Sequence, residues 1–171
     1  MEISPPTLNL RVGPSLLKAN ITDGWVTLKN LPEKHPMVMG IDPSLLSTGV
    51  AILYNGRLKT FRLQPPKGCV GAARLGWLYT ELLRIIGHHG VPIVVGIEDY
   101  AYGAKGLACQ IGELGGVYRL AFYANSIPYK TIAITSLKAF VCANGKADKE
   151  QVSKELFKKY DINESHSAWS R

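Results

Sequence analysis

The alternation of apolar and polar positions divides the chain into short strands and amphipathic helices. Val38-Met-Gly-Ile41 is an apolar run that ends on Asp42, and Gly49-Val-Ala-Ile-Leu-Tyr54 is a second strand. Asn55-Gly56 is a two-residue hairpin signal, so the stretch from Arg57 to Leu63 is expected to pair back. Between Ala72 and His88, Leu75, Leu78, Leu82, Ile85 and Ile86 recur at helical spacing. Pro92-Ile-Val-Val-Gly-Ile97 reads as a buried strand ending at Glu98. A helix from Leu107 to Ala124, a strand from Ile127 to Ile134 and a short helix from Ser136 to Cys142 follow. The last helix, Asp148 to Tyr160, carries Val152, Leu156 and Phe157 on one face. The order β-β-β-α-β-α-β-α-α predicts an α/β fold: a mixed five-stranded sheet, its first three strands antiparallel and the rest parallel, with helices on both faces.

Residues 1–36 differ in texture. Seven prolines and glycines punctuate them between Pro5 and Pro36, and only Gly24-Trp-Val-Thr-Leu28 has strand character. We read 1–36 as an N-terminal extension and 37–171 as the main domain.

A chain of 171 residues can bury one ordinary core. The net charge of +7 favours a polyanionic partner without identifying a fold. Cys69, Cys109 and Cys142 form no CxxC pair, which argues against a disulfide framework or zinc site and suits a reducing compartment. No apolar run is long enough to span a bilayer, and the N-terminus lacks the basic-then-apolar order of a secretory signal. The expected location is therefore the cytoplasm, an organelle or a nucleoid, not the exterior.

Asp42 and Glu98 each follow an apolar strand, which places two carboxylates near one end of a sheet. Such a pair repels unless a cation neutralises it. Magnesium takes oxygen ligands and keeps waters, and two ions about 3.5–4 Å apart can activate water and stabilise a leaving oxygen. A strand-end acid can also simply cap the next turn. Lys138, Lys146 and Lys149 cluster around a glycine-containing turn and could grip a phosphodiester; a solvated helix start is the plainer reading. Lys154, Lys158 and Lys159 read as surface charges, and His88 and His89, in Gly-His-His-Gly, as solvated loop residues.

Four segments bear a family resemblance, in order, from about residue 38 to 166. Gly40-Ile-Asp-Pro-Ser-Leu-Leu-Ser-Thr-Gly-Val-Ala51 resembles the first-strand motif of RuvC-type Holliday junction resolvases, of ribonuclease H-like fold. Ile97-Glu-Asp-Tyr-Ala-Tyr-Gly-Ala-Lys-Gly106 resembles the second acidic motif of their phage-borne branch, and Ile111-Gly-Glu-Leu-Gly-Gly116 the helix after it. Ser136-Leu-Lys138 and Gly145-Lys-Ala-Asp-Lys-Glu-Gln-Val152 resemble the lysine-bearing segment.

The resemblance implies a structure-selective endonuclease. It would hydrolyse phosphodiesters in four-way DNA with Mg²⁺ or Mn²⁺, in all two ions, leave 5′-phosphate ends, and act as a homodimer. Asp42 and Glu98 then match the first two catalytic metal ligands, and Lys138 and Lys149 the lysines near the scissile phosphate. Tyr100 or Tyr102 would stack on junction bases, with Lys105 and Lys146 as further DNA contacts. His166 stands where the family has an aspartate, and the chain stops about a turn later. Asp161 and Glu164 are the substitutes for that third ligand. Gly112, Gly115 and Gly116 suit either a dimer helix or tight packing within one subunit. Two other classes compete: a non-cutting junction-binding protein of the same fold, and an actin-like ATPase or sugar kinase, whose phosphate loop Asp42-Pro-Ser-Leu-Leu-Ser-Thr-Gly49 resembles. The latter requires a second domain that this length does not provide.

Overall fold

The computed structural model describes residues 20–21, 24–32, 34–99 and 108–162. Among the described residues eleven elements follow one another: β1 (Asn20–Ile21), β2 (Val26–Thr27), β3 (Val38–Asp42), β4 (Thr48–Tyr54), β5 (Arg57–Leu63), α1 (Gly71–His89), β6 (Val94–Glu98), α2 (Ala108–Ala124), β7 (Tyr129–Ile132), α3 (Ile134–Cys142) and α4 (Lys149–Tyr160).

The five expected strands lie in the order β5-β4-β3-β6-β7, antiparallel from β5 to β3 and parallel from β3 to β7. The extension adds two strands beyond that count. β1 and β2 pair antiparallel with β5, at Arg62–Phe61 and at Leu58–Arg57, and make the sheet seven-stranded. β7 is shorter than its apolar run suggested, because Ile134 already opens α3. The hairpin turn is built as its residues demand: Asn55 and Gly56 take φ of 50° and 67°, the pair of positive angles that suits the twist of the flanking strands.

Strand alternation sorts the sheet into two faces. Met39, Ile41, Val50, Ile52, Phe61, Leu63, Val95 and Ile97 point into the core. There they meet Leu78, Leu82, Ile85 and Ile86 of α1 and Leu114, Tyr118 and Phe122 of α2. The apolar stripe read from the sequence is thus the buried face of α1. The helix stops at Gly90, whose φ of 104° suits glycine and whose N–H caps Ile86 O. His88 and His89 are not loop residues: they form the last turn of α1, and His89 packs against Phe61 and Trp25 at ring separations of 5.3 and 6.0 Å.

The opposite face carries Val38, Gly40 and Asp42 of β3, Gly49, Ala51 and Leu53 of β4, and Val94, Gly96 and Glu98 of β6. These line a groove of about 630 Å³, walled on the other side by Lys130 and Ile132 of β7 and Leu137 of α3. Small residues on its floor keep the groove open, and the two carboxylates stand at one end of it.

A carboxylate pair at the end of two parallel strands

Register fixes the relation of Asp42 to Glu98. Ile41 pairs with Ile97 across the parallel β3–β6 ladder, so Asp42 and Glu98, one residue further on each strand, emerge side by side from the same face. Neighbouring strands are about 4.8 Å apart. Pairing continues past the acids on the outer side, where Glu98 is in register with Ile132 and the Asp99 N–H donates to Ile132 O at 3.0 Å. On the inner side Asp42 is in register with Gly49.

The loop between Asp42 and Gly49 is held by one buried hydroxyl. Thr48 Oγ1 donates to Ser44 O at 2.7 Å and accepts from the Ser44 N–H at 3.0 Å. It also accepts from the Tyr118 hydroxyl, on α2, at 3.2 Å. Burial holds the Tyr118 phenol well above its ordinary range, so it remains a neutral donor. Arg62 Nε donates to Ser47 Oγ at 2.6 Å from the next strand. Neither Tyr118 nor Arg62 was singled out from the sequence. A tyrosine on the inner side of an apolar helix, which must find a partner for its hydroxyl, was the available signal.

Electrostatics joins four of the expected residues. Burial pushes the Asp42 carboxyl above its ordinary range, and the Lys149 ammonium partly offsets this. Glu98 is raised first by burial and then by the neighbouring charge of Asp42, while Lys138 draws it back. Asp42, Glu98, Lys138 and Lys149 therefore share one site, assembled from β3, β6, α3 and α4. Lys149 is the first residue of α4, set there by a capping box between Asp148 and Gln151. Lys146 is exposed in the preceding turn, its N–H bound to Asn144 Oδ1 at 3.0 Å.

Other expected residues lie elsewhere. Asp161, offered as a substitute ligand, instead caps the far end of α4 and pairs with Lys29 at 2.8 Å. Tyr100, Tyr102, Lys105, Glu164 and His166 lie outside the described residues. Among the described residues no three His, Cys, Asp or Glu side chains gather as a metal-binding group. The two carboxylates nevertheless suit a divalent cation: they are oxygen donors, half-buried, mutually repelling and open to the groove.

The model of the family described as crossover junction endodeoxyribonuclease RuvC matches residues 38–165. The chain belongs to the RuvC family. The RuvC of Caldicellulosiruptor saccharolyticus is 32% identical over 124 residues, which cover 68% of this chain and 74% of that one. The RuvC of Nitratidesulfovibrio vulgaris is 32% identical over 120 residues, covering 67% and 72%. The fold is that of T. thermophilus RuvC, solved in complex with a Holliday junction substrate: the TM-score is 0.68 at 20% identity, over 79% of this chain and 86% of that one. The match begins at β3, so the segment that contributes β1 and β2 precedes the part shared with the RuvC family.

Proposed function

We propose that this RuvC-family chain is a Holliday junction resolvase, an endonuclease that hydrolyses phosphodiesters in branched DNA with Mg²⁺ or Mn²⁺. The observation that carries the reading is the adjacent emergence of Asp42 and Glu98 from one face of the sheet, with the charge of Lys149 acting on Asp42 and that of Lys138 on Glu98. Asp42 and Glu98 would hold the cation, with His166 as the expected further ligand. When bound, the ion supplies a hydroxide-like water and neutralises charge on the phosphate. The lysines offer positive charge to the scissile phosphate, where negative charge grows in the transition state. Residues 37–171 form the nuclease and 1–36 an extension of it.

A homodimer fits the need to cut two symmetric strands. Its support is a stripe on α2 at helical spacing, Cys109, Glu113, Gly116, Leu120 and Tyr123, all exposed, with Leu120 at 64% and Tyr123 at 71%. Free cysteines at 69, 109 and 142 fit a reducing compartment, and among the described residues no helix is long and apolar enough to cross a membrane.

The test is incubation with a mobile four-way junction and with linear duplex, in Mg²⁺, Mn²⁺ or Ca²⁺, followed by mapping of the nicks. Paired symmetric nicks confined to the junction support the proposal. Equal cutting of linear duplex points to a general nuclease, and junction binding without cutting in Mn²⁺ to a binding protein.

A further inference from the structure

The segment before the family match makes a set of contacts that join two distant parts of the molecule. Leu28 is buried, and its N–H donates to Gly56 O at 2.8 Å. The His35 N–H donates to Asn55 Oδ1 at 3.1 Å, while His35 Nε2 accepts from the Gly56 N–H at 3.0 Å. With Nε2 an acceptor, the imidazole is neutral and carries its hydrogen on Nδ1, which donates to Pro36 O at 2.9 Å. This part of the segment is therefore locked onto the β4–β5 turn.

Residues 29 and 30, between those anchors, reach the C-terminal end of α4. The Lys29 N–H donates to Tyr160 O at 3.2 Å, and Asn30 Nδ2 donates to Lys159 O at 2.8 Å. The last carbonyls of a helix have no partner within it, so here two are capped by residues about 130 positions earlier in the chain. Asn30 reaches Lys159 from a φ of 61°, a conformation that asparagine tolerates better than most residues. The Lys29 ammonium adds an ion pair with Asp161, the lysine exposed and the aspartate partly so, and such a pair contributes little by itself.

α4 needs such a hold. No residue of it is fully buried, and its ties to α3 include Lys159 Nζ donating to Val141 O at 2.6 Å. Its first residue is Lys149, whose charge reaches Asp42. A helix of this length spans about 18 Å, so a swing of about 10° around one end displaces the other by about 3 Å. A displacement of that size takes an ammonium out of hydrogen-bonding reach of a phosphate or carboxylate and leaves only a weaker attraction through water.

We propose that residues 28–32 and 35 form a clasp that ties the end of α4 to the β4–β5 turn, and that Asn30 is thereby a positioning residue for Lys149. The inference rests on the resolvase reading only for what Lys149 does, not for the clasp itself. Its test uses the whole chain and Asn30→Gly, which removes the amide without straining the positive φ. The first readout is hydrogen exchange, which needs no activity: amides of α4 should exchange faster in Asn30→Gly while those of β3 and β6 do not change. The second is junction cleavage under saturating metal. Asn30→Gly should lower kcat about fivefold with KM within about twofold, the signature of an interaction that acts in the transition state. In a Lys149→Ala background the same substitution should have no further effect, because the two changes act through one group. Unchanged exchange along α4 overturns the clasp. Faster exchange with a kcat loss that simply adds to that of Lys149→Ala overturns the positioning role. If the parent chain cuts no junction, the resolvase reading fails, and exchange along α4 alone decides the clasp.

Discussion

The Tyr118 hydroxyl, on α2, reaches Thr48 Oγ1, at the start of β4 where the loop after Asp42 ends, across 3.2 Å of buried interior. Thr48 therefore uses its full capacity: one bond donated to Ser44 O and two accepted, from the Ser44 N–H and from Tyr118. Thr48→Val keeps the shape but leaves both donors without a partner, and it should cost about 2–4 kcal/mol of stability and most of the activity. Tyr118→Phe removes only one donor and should cost about 1 kcal/mol, with cleavage reduced a few-fold. Chemical denaturation and junction cleavage of the two variants check the ranking, which reverses if Tyr118 and not Thr48 holds the loop.

Asp42→Asn and Glu98→Gln should each reduce cleavage by at least about 10³-fold, since the cation's contribution is worth several kcal/mol. Junction affinity should remain within a few-fold, because it comes mainly from backbone phosphates met by lysines. Gel-shift titrations in Ca²⁺ beside cleavage assays in Mn²⁺ separate the two effects. Loss of binding with normal cutting of the bound fraction would make the acids structural.

The raised carboxyls predict a stability that runs against function. Asp42 and Glu98 lie above ordinary values of 3.8 and 4.5, so the native state holds their protons more tightly than the unfolded chain does. Their contribution to stability is fully present below the unfolded values and is lost as pH rises through the folded ones. Metal-free Glu98→Gln should thus melt higher than the parent at neutral pH, by about 2–4 °C for each 1 kcal/mol relieved. Divalent cation should stabilise the parent and not the variant. Cleavage has the opposite dependence, falling with acidification as protons compete with metal for both acids. Thermal melts at pH 4 and 7.5, with and without Mg²⁺, test the signs.

Gly56→Ala should destabilise by more than about 1 kcal/mol. The residue has φ of 67°, and an added Cβ would lie 3.2 Å from Pro32 O. The methyl would press on the extension where it crosses the turn, so exchange along α4 should rise together with the loss of stability. A stability loss with α4 unaffected would separate the turn from the clasp.

Much of the fold was legible because its strands are short apolar runs with clear stops. The Val38–Ile41 run, the Asn55-Gly56 turn and the leucine stripe of α1 each have one physical reading, and the structure adopts it. Asp42 and Glu98 were visible as acids at strand ends. That they are neighbours depends on the register of β3 with β6, which no local pattern encodes. β2 lies within the Gly24–Leu28 run that read as a strand, whereas β1 was hard to see, because a two-residue strand carries no periodicity. Lys159 read as a surface charge because its partner, Val141 O, is the last-turn carbonyl of another helix. The roles of Asn30 and Tyr118 stayed hidden for the same reason: both depend on partners about 70 or more residues away.

The two short strands from the extension have a further consequence in concentrated solution. β5, Arg57-Leu-Lys-Thr-Phe-Arg-Leu63, is otherwise the last strand on its side of the sheet, and an uncovered strand of that length is a template on which another chain can add. β1 and β2 occupy positions at both ends of it, so its ladder groups are already spoken for there. The opposite border manages the same hazard differently, with a β7 of only four residues that carries Lys130. A chain begun at Met37 would keep every residue of the family match yet expose the long border. Light scattering against concentration should then show it growing into oligomers through strand addition while the full chain does not.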